Sequence, residues 1–226
     1  MRYEVKGDTL PVLEVILENG ESINCEHGAM VWMSNNVKME TGGGGISKMF
    51  SKGISGENIF SNTYTAHGAQ GMIAFGTNFP GKIVPVEIAP GKELVAQKGA
   101  FLAATPGVDI SVFFQKKVMS GLFGGEGFIM QKFSGTGLVF LEIDGVAIEY
   151  ELGAGDQIVI DTGYLSSMDA SCSVDVQSVK GVKNMLFGGE GIFNTVVTGP
   201  GKITVQTMPK LQVASTLQPY MITSSK

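Results

Sequence analysis

Three glutamates occupy matching places in a glycine-rich pattern, and their spacing is the clearest signal for chemistry in this sequence. Glu126 and Glu190 belong to two copies of Leu-Phe-Gly-Gly-Glu-Gly, and Glu57 ends a weaker copy, Ile-Ser-Gly-Glu. Three equivalent carboxylates could bind a hard cation through their oxygens. Alternatively, each carboxylate accepts backbone N–H bonds inside a tight glycine turn. We favour the structural role, because any repeated structural motif produces the same repetition.

The remaining reactive residues form no recognisable catalytic or metal-binding pattern. His27 and His67 are forty residues apart, and neither stands in a cluster of metal-ligating residues. Cys25 is two residues from His27, but neighbouring positions on a strand rarely form a working nucleophile and base. We interpret Cys25 and Cys172 as small core residues. The sequence therefore predicts no enzyme activity, no metal centre and no cofactor.

Glycine runs can also cradle a phosphate group through backbone N–H groups. Neither the Phe-Gly-Gly-Glu-Gly copies nor the run Thr41 to Gly45 is followed by the Lys-Ser or Lys-Thr pair of a phosphate-binding loop. We interpret these glycines as turn residues.

The composition is that of a folded, slightly acidic protein. The 226 residues include 32 glycines and 43% hydrophobic residues, and 21 acidic against 16 basic side chains give a net charge of −5. This apolar content can offset chain entropy, which excludes a disordered chain. The acidic balance argues against nucleic acid as a partner. Because mean hydropathy is high at +0.19, we expect apolar surface to be buried between copies, as in a homo-oligomer.

No targeting or membrane-spanning segment is recognisable. The first six residues, MRYEVK, lack the apolar core of a signal peptide, and charged or turn residues interrupt every apolar run. Two cysteines without metal-ligand spacing suit a reducing compartment. We predict a cytoplasmic protein.

The elements that must position the glutamates come from a repeat. Gly137 and Gly201 each lie eleven residues after a glutamate and begin a strand-like run, and Gly71 begins the corresponding run of the first copy after a loop three residues longer. Self-similarity over this distance is typical of an internally repeated fold.

A second, independent pattern, which we call the glycine marker, gives the same count. A glycine followed eight residues later by another glycine occurs at Gly20, Gly91 and Gly155, which precede the glutamates by 37, 35 and 35 residues. We therefore predict three repeats, a C-terminal extension and no linker, all in a single domain (1–226) around a pseudo-threefold axis. Their ranges are about 10–81, 82–139 and 140–206, with the extension at 207–226.

Alternation with a period of two predicts half-buried strands inside each repeat. Three apolar runs alternate with more polar neighbours: Leu13, Val15 and Leu17; Ile148, Tyr150 and Leu152; and Ile203 and Val205. Turn signals such as Pro90-Gly91 separate such runs, and no long helical pattern lies between them. The predicted fold class is all-β.

The two Phe-Gly-Gly-Glu-Gly copies, the Lys98–Ala103 segment and the Val159–Gly163 segment resemble the altered-inheritance-of-mitochondria protein twenty-four family over about residues 10–206. The resemblance implies a tripled form of the tryptophan RNA-binding attenuation protein subunit, a short double-stranded β-helix with threefold pseudosymmetry that assembles further. It implies no settled activity for prokaryotic members. The eukaryotic namesake is linked to mitochondrial inner-membrane organisation, which we do not transfer because this chain shows no presequence.

These observations leave several functions open, in a definite order. We expect a non-enzymatic, self-associating scaffold or adaptor with a possible protein partner. The alternative is a small-ligand or ion-binding protein that uses clefts between repeats. RNA binding rests on fold analogy and on lysines that recur before each glutamate motif, and it ranks lower. An unrecognised hydrolase ranks last. The lysines are Lys48, Lys52, Lys116, Lys117, Lys180 and Lys183.

Overall fold

The computed structural model describes residues 1–40, 61–116, 127–178 and 193–220. Most of these residues lie in strands, which confirms the predicted all-β class. The strands are β1 (Arg2–Lys6), β2 (Val12–Leu17), β3 (Ser22–Glu26), β4 (Met30–Met33), β5 (Val37–Glu40), β6 (Ser61–Ala66), β7 (Gly71–Gly76), β8 (Gly81–Ile88), β9 (Leu94–Gln97), β10 (Phe101–Ala104), β11 (Val108–Lys116), β12 (Phe128–Gly135), β13 (Gly137–Asp144), β14 (Ala147–Leu152), β15 (Gln157–Asp161), β16 (Leu165–Asp169), β17 (Ser173–Ser178), β18 (Phe193–Thr198) and β19 (Gly201–Gln206).

Little of the described chain is helical. The helix α1 spans Lys210–Leu217, and single 3-10 turns occupy Lys98–Ala100, Thr162–Tyr164 and Gln218–Tyr220. The sequence did not predict α1, which lies in the C-terminal extension. None of its side chains is fully buried, so tertiary packing contributes little to it.

The chain divides into two compact units. Unit 1 comprises Met1–Ala89, Phe101–Asp109 and Gly135–Glu142, and unit 2 comprises Pro90–Ala100, Ile110–Ser134 and Ile143–Lys226. The segments of the two units alternate along the sequence, because the middle third of the chain contributes to both units.

Unit 1 contains two antiparallel sheets that share one core. The first has strand order β1-β2-β7-β4, and the second has the order β5-β6-β3-β10-β13-β8. Side chains from both sheets meet in this core, and the first sheet contributes Leu13, Val15, Leu17, Ile73 and Phe75. The predicted alternation of β2 is confirmed, since Leu13, Val15 and Leu17 are buried and the residues between them are not.

Unit 2 follows the same plan with fewer strands. One sheet has the order β11-β12-β9-β16-β19-β14, and the other has the order β15-β18-β17. Phe128, Leu165 and Ile203 of the larger sheet pack with Ile160 and Val197 of the smaller one.

The predicted burial of β14 is wrong. Ile148 and Tyr150 are exposed, and β14 is the last strand of its sheet, pairing only with β19 among the described strands. An alternating pattern shows which face of a strand can be buried, but an edge strand needs a covering layer to bury it.

One pairing pattern occurs three times along the chain. We call the six consecutive strands β2 to β7 the first set and number its strands from one to six. The first strand, β2, pairs with the sixth, β7, and β7 pairs with the third, β4. The second strand, β3, pairs with the fifth, β6, and β6 pairs with the fourth, β5. The sets β8 to β13 and β14 to β19 pair identically. The second set ends at Asp144, slightly beyond the predicted boundary at 139. The pseudo-threefold axis stays a prediction.

The three sets also agree in detail. In each, the third strand pairs with the sixth through a one-residue register shift at the same place. The residue skipped is Val31 in β4, Leu102 in β10 and Ser166 in β16. Such a bulge bends a strand locally, so β4, β10 and β16 share a shape as well as a position.

Candidate functional site

The repeated glutamate motif cannot be placed in the structure. Glu57, Glu126 and Glu190 lie outside the described residues, as does the run Thr41 to Gly45. Their ion-binding or turn-forming role therefore stays a prediction. Within 1–40, 61–116, 127–178 and 193–220, no three His, Cys, Asp or Glu side chains stand close enough to hold a metal ion.

Of the six recurring lysines, Lys116 is the one inside the described ranges. Its Nζ donates a hydrogen bond to the backbone carbonyl of Val176. This contact occupies the ammonium group within the protein and gives no support to a basic binding surface.

The histidines and cysteines form no reactive pair in the described part of the chain. His27 and His67 are exposed, whereas Cys25 and Cys172 are buried. Burial, with a smaller contribution from the charge of Glu26, raises the pKa of the Cys25 thiol to about 12. Burial also raises the pKa of Cys172. Both thiols are therefore protonated at neutral pH, and the interpretation of the cysteines as core residues is confirmed.

The structure reveals a buried carboxyl group with a raised pKa that the sequence reasoning missed. Asp144, at the end of β13, is 7% exposed. Burial raises its pKa to about 6, although the backbone N–H of Lys210 opposes this by donating to Oδ2 at 3.1 Å. No donor in the described residues forms a hydrogen bond to Oδ1, although Lys210 Nζ lies 3.5 Å away.

Hydrogen bonds around Asp144 connect three elements of unit 2. The N–H of Asp144 donates to Gln206 Oε1 at 3.1 Å, and Gln206 Nε2 donates to the carbonyl of Gly163 at 2.9 Å. Asp144 thus anchors the first residue of α1 beside β19. A carboxyl group with a pKa near neutrality can exchange a proton, but no nucleophile accompanies it in the described contacts. The only sequence signal was the acidic pair Glu142 and Asp144 in an otherwise apolar run.

An exposed apolar strand is the second feature of interest. β4 is the last strand of its sheet and pairs only with β7 among the described strands. Its residues Val31, Trp32 and Met33 are 50%, 49% and 38% exposed. We call Met30–Met33, together with the backbone groups on the side away from β7, the β4 edge.

The equivalent strands of the other two sets have a neighbouring strand on each side. All four residues of β10 are buried, and β10 pairs with β13 on one side and with β3 on the other. In the same way, β16 lies between β19 and β9. The β4 edge differs from them because no second neighbour stands beside it among the described strands.

Similarity to known proteins identifies the family of this chain. The model of the AIM24 family, described as mitochondrial biogenesis, matches residues 3–208. The chain belongs to the AIM24 family. One AIM24-like relative is an uncharacterised protein of Streptococcus pyogenes serotype M6, 30% identical over 236 residues that cover 100% of this chain and 93% of that protein.

A solved structure shows the same fold as this AIM24-family chain. It is the crystal structure of another Streptococcus pyogenes protein, with a TM-score of 0.79 and 26% identity, and the match covers 97% of this chain and 99% of that one. Neither relative's description states a ligand or an activity. Within the described part of the chain, no helix combines the length and the apolar content required to cross a membrane.

Proposed function

We propose that this AIM24-family protein is a non-enzymatic, self-associating β-rich scaffold or adaptor that works as a homo-oligomer. The observation that carries the proposal is the β4 edge, where three consecutive apolar side chains lie on a strand that has one neighbour among the described strands. A single exposed apolar side chain is ordinary. Three on an open edge form a surface that favours strand addition.

The chemistry of β4 suits a protein contact. Tryptophan and methionine are enriched at protein interfaces, where large side chains gain most from leaving water. The main-chain N–H and C=O groups of an edge strand add directional hydrogen bonds to this apolar contribution. An incoming strand would satisfy both.

The reactive groups support a non-enzymatic role. The thiols are buried and protonated, and the described histidines are exposed and stand apart from them. Asp144 holds the beginning of α1, which is a structural task. Catalysis would require a nucleophile or a base within hydrogen-bond reach of a partner group.

Light scattering after size-exclusion chromatography tests the proposal. We expect a mass well above the 23.9 kDa of one chain, and we expect Trp32→Lys to shift the protein toward that value, because a charge on the edge opposes strand addition. Val146→Lys is the matched control, since Val146 is 54% exposed but lies just before β14. A wild-type mass of one chain at all concentrations would refute self-association.

Small-ligand or ion binding is the alternative, and Asp144 Oδ1, which is buried and accepts no hydrogen bond within the described residues, supports it. A buried carboxylate oxygen normally accepts a hydrogen bond, whereas the contact of Oδ1 with Lys210 Nζ, at 3.5 Å, is an ion pair without one. A rise in melting temperature with a divalent cation or metabolite, lost in Asp144→Asn, would favour this alternative.

We also propose a cytoplasmic location, which the two free cysteines support. Cell fractionation tests it.

A further inference from the structure

Two junctions in the structure join one strand set to the next. In unit 1, β3 of the first set pairs with β10 of the second set, antiparallel. In unit 2, β9 of the second set pairs with β16 of the third set, also antiparallel. Each junction therefore joins the second strand of one set to the third strand of the following set.

The two junctions also share one register. Ala103 lies opposite Cys25, and Ser167 lies opposite Ala96. Counted along the sequence, Ala103 and Ser167 each lie four residues after the second glycine of the glycine marker, at Gly99 and Gly163. Their partners each lie five residues after its first glycine, at Gly20 and Gly91. The position of a residue relative to the glycine marker therefore indicates which residue lies opposite it at a junction.

One second strand and one third strand take part in no junction among the described strands. β4 is the third strand of the first set, and β15 is the second strand of the third set. Among the described strands, β4 pairs only with β7, and β15 pairs only with β18. Val159, in the middle of β15, is 62% exposed. The two edges belong to the two kinds of strand that form a junction. The remaining second strands, β3 and β9, already pair with the remaining third strands, β10 and β16.

We infer that β15 of one copy of the chain pairs with β4 of a second copy, antiparallel and in the register of the two existing junctions. Counting from Gly28 and Gly155 places Trp32 opposite Ile160 and Met33 opposite Val159. This inference rests on the proposed self-association and names the surface that forms it. The contact covers Trp32 and Val159 and adds main-chain hydrogen bonds on the outer sides of both edges.

A second copy is the occupant that the exposures favour. In the described chain both edges remain open to solvent, so each copy presents one β4 edge and one β15 edge. Such a contact is heterologous: the two partners use different surfaces. Successive copies therefore either close into a ring or extend into a filament, and loss of either edge removes the same contact.

Disulfide trapping between two differently tagged copies tests the inference. One copy carries Met33→Cys and the other carries Val159→Cys, and the two are co-expressed and exposed to a mild oxidant. We expect a disulfide that joins the two tags, because opposite residues of an antiparallel pair lie within disulfide reach. The native cysteines are buried, and the parent chains with both tags show their background.

The matched control moves the second cysteine out of register. Gln157→Cys is exposed on the same strand and lies two residues from Val159, so its distance from Met33→Cys exceeds what a disulfide spans. We expect a yield of the mixed disulfide that is lower by about tenfold or more, because the two Cβ atoms are too far apart for the bond. Equal yields would show random collision and would overturn the register. Circular dichroism of each variant confirms that it folds.

A third variant tests whether β15 of a second copy or β15 of the same chain pairs with the β4 edge. A single chain with both Met33→Cys and Val159→Cys would, if β15 of the same chain filled the β4 edge, form a disulfide within that chain and migrate as one chain. That result, with no mixed disulfide, overturns pairing between copies. If the wild type is oligomeric but no mixed disulfide forms, this inference fails and the proposed function survives. A monomeric wild type refutes the proposed function itself.

Discussion

β4 and β16 occupy the same position in their strand sets, yet one is exposed and the other is buried. Every residue of β4, Met-Val-Trp-Met, is apolar, whereas β16 reads Leu-Ser-Ser-Met-Asp. The first four residues of the more polar strand are all buried. Both pair with the sixth strand of their set in the same register. Hydrophobicity therefore does not decide which strand is covered.

The deciding difference is the second neighbour. β9 pairs with the other side of β16, and no described strand does this for β4. A strand between two others has its backbone groups paired and its side chains covered on both flanks, while an edge strand keeps one flank in water. β4 therefore has the composition of a covered strand, and its own sheet does not supply the neighbour that would cover it.

The largest effect is expected when a covered strand loses an aromatic side chain. Phe101, in β10, is 3% exposed, and Phe101→Ala should lower the free energy of unfolding by about 3 to 5 kcal/mol, because it leaves a cavity. Trp32→Ala in β4 should cost at most about 1 kcal/mol in a monomer. Urea unfolding at low protein concentration measures both. Similar losses would mean that β4 is as well packed as β10.

A pH-dependent effect should distinguish the second set from the third. Asp144 lies seven residues after Gly137, where the third set has Met208 seven residues after Gly201. Its folded pKa of about 6 lies above the ordinary value of 3.8, so the folded state binds the proton more tightly than the unfolded state. Its contribution is fully present below about pH 4 and is lost as the pH rises through about 6.

The size of that loss is on the order of 3 kcal/mol, because one pKa unit corresponds to about 1.4 kcal/mol. Urea unfolding between pH 4 and pH 7 should show it as a difference between the wild type and Asp144→Asn, which cannot ionise. Asp8→Asn, at an exposed position, is the control. A wild type and an Asp144→Asn variant with parallel pH profiles would contradict the buried ionisation.

A glycine substitution tests why glycine begins the sixth strand of the second set. Gly137 has a φ of +153°, and a methyl group there would overlap Thr105 Oγ1. Thr105 cannot rotate away freely, because its Oγ1 accepts a hydrogen bond from the N–H of Leu138 at 3.0 Å. We expect Gly137→Ala to cost about 2 kcal/mol or more.

The control for this substitution is a glycine with free space around it. Gly91 has a φ of +80°, and no neighbouring atom lies within 4 Å of the place that an alanine methyl group would take. Gly91→Ala should therefore cost only the conformational strain of about 1 kcal/mol. Thermal unfolding compares the two variants. If Gly91→Ala proved the more damaging, steric overlap would not be the reason for glycine at the strand start.

The smallest effect concerns thiol labelling. Cys25 lies in β3, opposite Ala103 in a closed junction, and its buried, protonated thiol should not react with a thiol reagent in the folded wild type. Trp32→Cys should add one thiol that reacts rapidly in the monomer. The absorbance of the group that the thiol reagent releases measures the reaction rates of both thiols. Rapid reaction of Cys25 would show that the β3–β10 junction opens readily.

The strand content was predicted from the sequence because it depends on local spacing. The glutamate motif and the glycine marker predicted three repeats around an axis, and those ranges and that axis stay a prediction. The described strands show one pairing pattern in three sets, with the same register shift in each. Alternation correctly predicted the buried face of β2. It failed at β14, because burial also needs a covering layer.

The candidate site was less predictable. Asp144 gave almost no signal in the sequence, since its raised pKa arises from burial among residues as distant as Gln206 and Lys210. The repeated glutamates gave a strong signal, and they lie outside the described residues. Spacing along a chain reveals repetition, but it does not report which groups are removed from water.

Local spacing in the sequence was enough to predict the all-β class and turns such as Pro90-Gly91, because glycine positions and two-residue alternation act over a few neighbouring residues. The tertiary structure alone decided that β10 and β16 gain a second neighbour while β4 and β15 keep a free edge among the described strands. That outcome depends on pairing between strands about 70 to 80 residues apart. The glycine marker gives the register of a junction, but it does not encode which strands form one.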